Sequence, residues 1–236
     1  MYTLEMHCHT SGPSACSHTG PEELISEYRK AGYNGVVSTN HICLYSFEGM
    51  ESAPWREKAR YFYSCIEALQ KSAGPDFDVF PGCEVNLSKT KQDPVPNDYL
   101  IYGITEDWLI SAGDVRKMTI SRLSACVRET GTMLIVQAHP FRKNTVIVDP
   151  GLLDGMESYN GSRKYDSDSR TAKIWAAKNG LIMTSGSDFH NVGDRISGGI
   201  LVRDPVRDMS QLIGILRSGD YMPMSGKQNS QSWTEI

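Results

Sequence analysis

The sequence lacks long apolar runs: none approaches the ~20 residues that a membrane-spanning helix needs. Its N-terminus also lacks a basic region followed by an apolar segment, so we expect neither a membrane span nor a signal peptide. Its six cysteines are scattered without a CxxC pair. This pattern favours reduced thiols over a disulfide framework, and therefore predicts a cytoplasmic location.

The sequence also lacks a strong net charge, positive or negative. Nothing in it indicates a division into domains. A net charge of −4 does not indicate a surface for polyanions, so nucleic acid is not favoured as a partner, although a local site could hold one. We see no internal repeat, low-complexity run or linker. We therefore expect one domain over residues 1–224, followed by a polar tail over residues 225–236.

What the sequence does contain is an alternation of short apolar segments with amphipathic ones. Strands are predicted at Thr3–His9, Gly35–Thr39, Asp78–Val85, Tyr99–Ile104, Met133–Ala138, Gly155–Tyr159, Leu181–Ser185 and Leu201–Val202. Helices are predicted at Pro21–Ala31, Trp55–Ser72, Val115–Glu129, Thr171–Lys178 and Met209–Arg217. This α/β alternation favours a parallel sheet with helices outside, either open or closed into a barrel.

Residues of the kinds that bind metals recur at the carboxyl ends of the predicted strands. They are His7, His9, His41, Glu84, His139, Asp188 and His190. A single histidine after a strand is more often a hydrogen-bonded rim residue than a ligand. Metal-binding residue types would rarely occur at five strand ends by chance. Because these ends meet at one rim of a parallel sheet, we expect the side chains to converge there.

The spacing within two of these segments supports the same interpretation. Residues at i and i+2 of an extended segment share a face, so His7 and His9 can bind one ion while Cys8 points away. Asp188 and His190 repeat this spacing. Imidazoles and carboxylates suit Zn²⁺, Mn²⁺ or Fe²⁺, whereas an all-oxygen shell would indicate Mg²⁺ or Ca²⁺. The number of candidate ligands favours a cluster of two or three ions over a single tetrahedral zinc.

Taken together, five motifs resemble those of the PHP family, named for its polymerase and histidinol phosphatase members. They are HCHTSG (7–12), STNH (38–41), PGCEV (81–85), AHPFR (138–142) and GSDFH (186–190), in the order of the family. The resemblance implies a distorted seven-stranded β/α barrel with a metal site at its C-terminal rim. It also implies hydrolysis of a phosphoester.

By position, the resemblance implies three ligand sets, of which the first two share Glu84. The first is His7, His9, Glu84 and Asp188; the second is Glu84, Asp98 and His139; the third is His41 and His190, with His18 either a further ligand or an exposed loop residue. The expected cofactors are two or three divalent ions, with Mn, Zn or Fe ahead of Mg.

Two residues depart from the family pattern. Asn40 stands where family members usually have aspartate, which removes a charge beside the site. Asp98 stands where many members have histidine, which adds negative charge and favours harder metal ions. A carboxylate can replace an imidazole as a ligand, so Asp98 is compatible with a metal site and leaves open which metal the site prefers.

The expected reaction is hydrolysis of a small-molecule phosphomonoester by a metal-activated water. The candidate catalytic residues are His9, Asp188, His190 and Arg142. Arg142 would clamp phosphate, since guanidinium matches phosphate geometry, and its alternative is a surface arginine in a loop. Weaker rim candidates are Asn160, Arg163 and Arg195, and the cysteines are expected to be packing residues.

Three alternatives stay open at this stage. The runner-up is a phosphodiesterase or exonuclease that acts on oligonucleotides. Another is a metal-binding module without catalysis, which Asn40 and Asp98 alone encourage. A third is an amide-cutting hydrolase, for which we find no convincing lysine after a strand. The expected partner is a small phosphorylated substrate, with no membrane, and the sequence does not indicate an oligomeric state.

Overall fold

The computed structural model describes residues 1–87 and 97–226. Its strands are β1 (Tyr2–Cys8), β2 (Gly35–Ser38), β3 (His41–Ile42), β4 (Asp78–Asn86), β5 (Asp98–Tyr102), β6 (Leu134–Gln137), β7 (Gly155–Asn160), β8 (Ile182–Gly186), β9 (Ile200–Val202) and β10 (Met222–Pro223). Its helices are α1 (Pro21–Lys30), α2 (Trp55–Ala73), α3 (Glu106–Ala112), α4 (Ile120–Arg128), α5 (Ser169–Lys178) and α6 (Met209–Ser218). Most of the predicted tail, 225–236, lies outside the described residues.

The strands form one sheet that curves until its two ends nearly meet. Their order is β10-β9-β1-β2-β4-β5-β6-β7-β8, with β3 paired to β4. The chain just after β8 returns to β1: Asp188 N donates to His7 O over 2.8 Å, and His9 N donates to Phe189 O over 2.9 Å. The result is a mixed α/β fold around a nearly closed, barrel-shaped sheet.

Two expectations about the sheet are corrected. The described residues contain ten strands instead of seven, because the short strands β3, β9 and β10 add to the sheet. The sheet is also not wholly parallel, since β5 runs antiparallel to both β4 and β6. The link from Asn86 to Asp98 is shorter than the dozen or more residues that a parallel crossover requires.

The direction of β5 matters for the site because it reverses which end of the strand reaches the rim. Asp98 begins β5 and pairs with Asn86 at the end of β4. A residue at the start of an antiparallel strand therefore lies beside the carboxyl ends of its neighbours. This places Asp98 at the same edge of the sheet as Glu84 and His139.

One predicted helix is shorter than expected. Val115–Glu129 divides into a 3₁₀ turn at Val115–Lys117 and the helix α4, which begins at Ile120. The break falls at Thr119, whose extended backbone and side chain cap α4 by accepting a hydrogen bond from Arg122 N. The sequence pattern also missed α3, which another threonine, Thr105, caps in the same way.

Apolar side chains fill both faces of the sheet. Leu4, Leu100 and Leu134 belong to an interior cluster that α6 covers, while α2, α3 and α4 pack on the outer face of β4–β6. No helix in the described residues combines the length and apolar character needed to cross a membrane.

A bulge in β1 sets which side chains reach the site. Between Glu5 and Cys8, β1 has one residue more than the facing stretch of β2. Such an insertion shifts the alternation of side chains between the faces. Met6 therefore packs in the interior cluster although His7 and His9 also face inward, and Cys8 packs outside against α1.

Closure of the sheet requires a residue without a side chain at Gly186. A methyl group there would lie 2.1 Å from the Cβ of His7. We expect Gly186→Ala to lower the free energy of unfolding of the metal-free protein by about 1–3 kcal/mol, because overpacking must separate β8 from β1. Urea denaturation measures this change.

Gly214→Ala is the matched control for this substitution. Gly214 lies within α6, and a methyl group there meets nothing within 4 Å. Alanine in a helix interior is favoured over glycine, so Gly214→Ala should be neutral or stabilising. Equal stability of Gly186→Ala and the wild type would contradict the close approach of β8 and β1.

Candidate metal centre

The closing contact of the sheet brings two imidazoles and two carboxylates together. His7 Nε2 lies 3.3 Å from Glu84 Oε2 and 3.5 Å from Asp188 Oδ1. His9 Nε2 lies 3.4 Å from each of the same two oxygens. All four side chains are buried. The sequence-predicted first ligand set is thus brought together, with its donor atoms facing one point.

These donor atoms fit a bound divalent ion. Among the described residues, Nε2 of His7 and Nε2 of His9 have no hydrogen-bond partner although they are buried. Burying polar atoms without partners is unfavourable. A zinc-like ion bound at about 2.1 Å in a tetrahedral shell holds its ligand atoms about 3.4 Å apart, which is the spacing observed.

A second group shares Glu84 with the first. His139 Nε2 lies 3.1 Å from Glu84 Oε1 and 3.8 Å from Asp98 Oδ2. The other oxygen of Asp98 accepts a 2.6 Å hydrogen bond from Asn86 Nδ2. Glu84 therefore directs one oxygen to each group, which is the arrangement of a bridging carboxylate. The carboxylate of Asp98 lies close enough to Glu84 and His139 for these three side chains to bind a second ion.

A third group consists of imidazoles. Donor atoms of His9, His41 and His190 lie within 4.8 Å of one another, and the rings of His41 and His190 both stack on that of His9. His41 Nδ1 also lies 2.9 Å from Glu84 Oε2. His18 is exposed, and no metal-binding group among residues 1–87 and 97–226 includes it.

The charges of the site compensate one another. Burial by itself would raise the pKa of Glu84, but His7 and His41 hold it well below its usual range. Burial would likewise raise the pKa of Asp188, and His7 and His9 outweigh it. Both carboxyl groups are therefore ionised in the fold, as metal ligands must be.

Different neighbours set the pKa values of the two imidazoles in the first group. Burial would lower the pKa of His7, but Glu157, Glu84 and Asp188 together raise it well above its usual value. Burial and the nearby His190 and His41 hold the pKa of His9 well below its usual value. His9 is thus neutral, the form in which imidazole binds metal.

Glu157, which the sequence analysis did not single out, orients two of the ligands. Its Oε1 lies 2.8 Å from His7 Nδ1, and its Oε2 accepts a 2.8 Å hydrogen bond from His139 N. A carboxylate on Nδ1 leaves Nε2 of His7 free for an ion. Glu157 lies in the predicted strand Gly155–Tyr159, and an acidic residue within a predicted buried strand is the signal that the sequence offers for it.

The side chain of Glu5 stabilises the contact at which the sheet closes. Its Oε1 accepts hydrogen bonds from His7 N and Ser187 N, over 2.9 and 2.8 Å. Its Oε2 accepts one from Tyr28 Oη, and burial raises the pKa of this carboxyl group. Glu5 thereby links β1, the chain after β8 and α1 directly below the ligands.

Asn40 holds the loop that follows the HCH segment. Its Oδ1 accepts hydrogen bonds from Thr10 N over 2.7 Å and Ser14 Oγ over 2.9 Å, and its Nδ2 donates to Thr10 Oγ1. Ser14 Oγ lies 3.3 Å from His9 Nδ1. Asn40 therefore positions His9 through Ser14. This role requires hydrogen bonds and no charge, so an amide can fill it.

Two candidate ligands have unusual backbone conformations. His139 has φ = 27° and Asp188 has φ = 54°, in the region that L-residues seldom adopt. Such conformations cluster at functional sites because surrounding contacts must hold them. Here the hydrogen bonds from His139 N to Glu157 and from Asp188 N to His7 O do so.

A cavity of about 340 Å³ opens beside the three groups. Arg142 lines it and donates from Nη2 to Asp188 Oδ2 over 2.8 Å and to Asn160 Oδ1 over 3.1 Å. Both sequence candidates, Arg142 and Asn160, therefore contact the ligand shell. Arg163 and Arg195 line the outer part of the same cavity.

Cys16 corrects one expectation, since it is exposed on the cavity wall and not packed in the core. Partial burial raises the pKa of its thiol, but hydrogen bonds to His190 and His41 outweigh this and lower the pKa to about 6. Cys8 and Cys83 are buried in apolar clusters, as the alternation along their strands predicts.

No protein-family model matches the chain, and no curated protein sequence matches it. Solved structures do match. The chain is similar to a two-domain protein from Bacteroides vulgatus that contains a predicted PHP-like metal-dependent phosphoesterase, with 15% identity and a TM-score of 0.66. The match covers 95% of this chain and spans 65% of the length of that protein.

Two further structures are similar over nearly their whole length. One is a candidate metal-dependent phosphoesterase from Bifidobacterium adolescentis, with 17% identity, a TM-score of 0.54 and coverage of 91% of this chain and 95% of that one. The other is an amidohydrolase from Chromobacterium violaceum, with 12% identity, a TM-score of 0.57 and coverage of 93% and 97%.

At these identities the likeness is one of fold. The chain has the fold of a protein named for a predicted PHP-like metal-dependent phosphoesterase, which confirms at that level the resemblance carried by its five motifs. Its histidine and carboxylate groups supply candidate sites for divalent metal ions on that fold.

The position of Glu157 predicts a role in metal affinity. Glu157→Gln keeps the size of the side chain but leaves one oxygen where two accept hydrogen bonds now. We expect it to weaken metal binding about 10–100-fold, the usual effect of losing a group that orients a ligand. Competition with a fluorescent zinc chelator measures this affinity.

Glu129→Gln, which changes an exposed glutamate beyond α4, is the control and should leave the affinity as in the wild type. Far-UV circular dichroism should show that both variants are folded. An unchanged affinity of folded Glu157→Gln would contradict the role of Glu157.

Proposed function

We propose that this protein is a metal-dependent phosphoesterase that hydrolyses a phosphomonoester of a small molecule. The observation that carries the proposal is the convergence of three ligand groups on one cavity with a guanidinium at its wall. Two structural neighbours are named as metal-dependent phosphoesterases, which supports the same class of reaction.

In this proposal the chain holds two or three divalent ions. The first group is His7, His9, Glu84 and Asp188, the second is Glu84, Asp98 and His139, and the third is His9, His41 and His190. Divalent ions bound there would supply a water of lowered pKa as nucleophile and would neutralise charge on phosphoryl oxygens. The mixed imidazole and carboxylate donors favour Mn²⁺, Zn²⁺ or Fe²⁺.

The remaining roles belong to side chains around the ligands. Arg142 lines the cavity next to Asp188, and its buried Nε has no hydrogen-bond partner among the described residues. It can therefore donate to a phosphoryl oxygen while Asp188 and Asn160 fix its position. His41 and His190 serve as ligands, so the leaving oxygen takes its proton from water in the open cavity.

Amide hydrolysis is the second candidate because one neighbour is named an amidohydrolase. Against it, Lys164, the lysine that lines the cavity in the described part of the chain, lies on an exposed loop. The cationic wall of the cavity suits an anionic phosphoryl group better than a neutral amide.

The proposal predicts metal-dependent turnover of phosphomonoesters. We expect hydrolysis of p-nitrophenyl phosphate with Mn²⁺, Zn²⁺ or Fe²⁺, and much slower hydrolysis of bis(p-nitrophenyl) phosphate and of a p-nitroanilide. His9→Ala and Asp188→Ala should abolish turnover because each removes a donor atom from the buried cluster. Steady-state rates, with circular dichroism to show folding, measure this.

His18→Ala is the matched control, since it removes an exposed imidazole outside the ligand groups. It should keep wild-type activity. Full activity of His9→Ala or Asp188→Ala would contradict the proposal, as would faster cleavage of the diester or the amide. A purified protein that neither contains nor rebinds metal would instead indicate a module without catalysis.

A further inference from the structure

The outer cavity wall carries more positive than negative charge. Arg163, Lys164 and Arg195 line the cavity together with Arg142, in a chain whose net charge is −4. Arg142 is paired with Asp188. Within residues 1–87 and 97–226, Arg163, Lys164 and Arg195 form no ion pair with an acidic side chain. Uncompensated cations in a concave site attract anionic ligands.

One carboxylate lies on this wall. Asp194 lines the cavity, its Oδ2 accepts hydrogen bonds from His190 N over 3.0 Å and from Asn191 N over 2.8 Å, and it offsets one of the three positive charges. Glu84, Asp98 and Asp188 belong to the metal-binding groups, where divalent ions would neutralise them. The outer wall therefore keeps an excess of positive charge.

Two loops form this wall, and an aromatic ring connects it to the ligand shell. The loop after β7 carries Arg163 and Lys164, and the loop before β9 carries Arg195. The ring of Tyr165 lies 4.8 Å from the Cζ of Arg142 and 5.5 Å from the Nζ of Lys164. Cation–π contacts of this kind hold both cations to the same ring. The positively charged surface thus extends from Arg142, which lies beside Asp188, outward to the loop after β7.

We propose that the cavity binds a phosphorylated substrate that carries a second anionic group, and that Arg163, Lys164 and Arg195 contact this group. The inference rests on the proposed phosphoesterase function, because that function places the phosphoryl group at the ligand clusters beside Arg142. A volume of about 340 Å³ is within the range of small-molecule sites and has room for both groups of a small metabolite.

Phosphonates test this inference without hydrolysis, because their carbon–phosphorus bond is not a phosphoester. Calorimetry with the manganese-loaded protein compares propylphosphonate with propane-1,3-bisphosphonate and 3-phosphonopropionate, which add a second phosphonate or a carboxylate. We expect at least one of the two doubly anionic probes to bind about tenfold tighter or more than propylphosphonate, as charge-assisted hydrogen bonds would provide.

The variant Arg163→Gln/Lys164→Gln should reduce that preference to near one and leave propylphosphonate binding within about twofold of wild type. Arg195→Gln should reduce it in part. The control Arg122→Gln/Lys178→Gln removes the same charges from exposed helix positions outside the cavity and should keep the preference. A preference for the bisphosphonate alone would identify a second phosphoryl group, and one for both probes any anionic group.

A wild-type preference near one would overturn the inference, and so would a preference that survives Arg163→Gln/Lys164→Gln and Arg195→Gln. These outcomes differ from failure of the proposed function. Hydrolysis of phosphomonoesters without the preference would refute only the second anionic site. Binding with the preference but without hydrolysis of any phosphomonoester would refute the proposed function.

Discussion

The structure depends on the contact at which the sheet closes. Two backbone hydrogen bonds, from Asp188 N to His7 O and from His9 N to Phe189 O, tie the chain after β8 to β1. They place a carboxylate from one end of the sequence beside two imidazoles from the other. Gly186 permits the close approach, and Glu5 holds both segments from below. Without this contact the first ligand group would not exist.

Burial of so many ionisable groups is unfavourable unless they neutralise one another or hold ions. The imidazoles keep the pKa values of Glu84 and Asp188 low, although burial acts in the opposite direction. Nε2 of His7 and Nε2 of His9 nevertheless lack hydrogen-bond partners among the described residues, and both lie at distances from Glu84 that suit metal ligands. A cluster of divalent ions would satisfy both the unpaired atoms and the excess of carboxylate charge.

The sequence predicted which histidines and carboxylates the fold brings together, because their signal is local. Ligand-type residues at i and i+2, placed after apolar strands, need only the period of a strand and the rule that strand ends meet at a rim. The solved structures with this fold, and the grouping of His7, His9 and Asp188, are consistent with that reasoning. His18 shows its limit, since loop spacing did not reveal that this side chain is exposed.

Features set by distant contacts could not be predicted in this way. The antiparallel direction of β5 follows from how the sheet accommodates a short link, and the bulge of β1 follows from pairing with β2. Glu157 looks like an ordinary residue of a strand until His7 lies against it. The short strands β3 and β10 have too few residues to show a period, so only tertiary pairing defines them.

We infer above all that closure of the sheet assembles a site for divalent metal ions. The most direct measurement is a crystal structure of the manganese-loaded protein with anomalous diffraction data collected above and below the manganese absorption edge. The account predicts anomalous peaks about 2.0–2.3 Å from Nε2 of His7 and His9, with a second peak between Glu84 and His139. Fully loaded crystals with no anomalous peak among these side chains would contradict it.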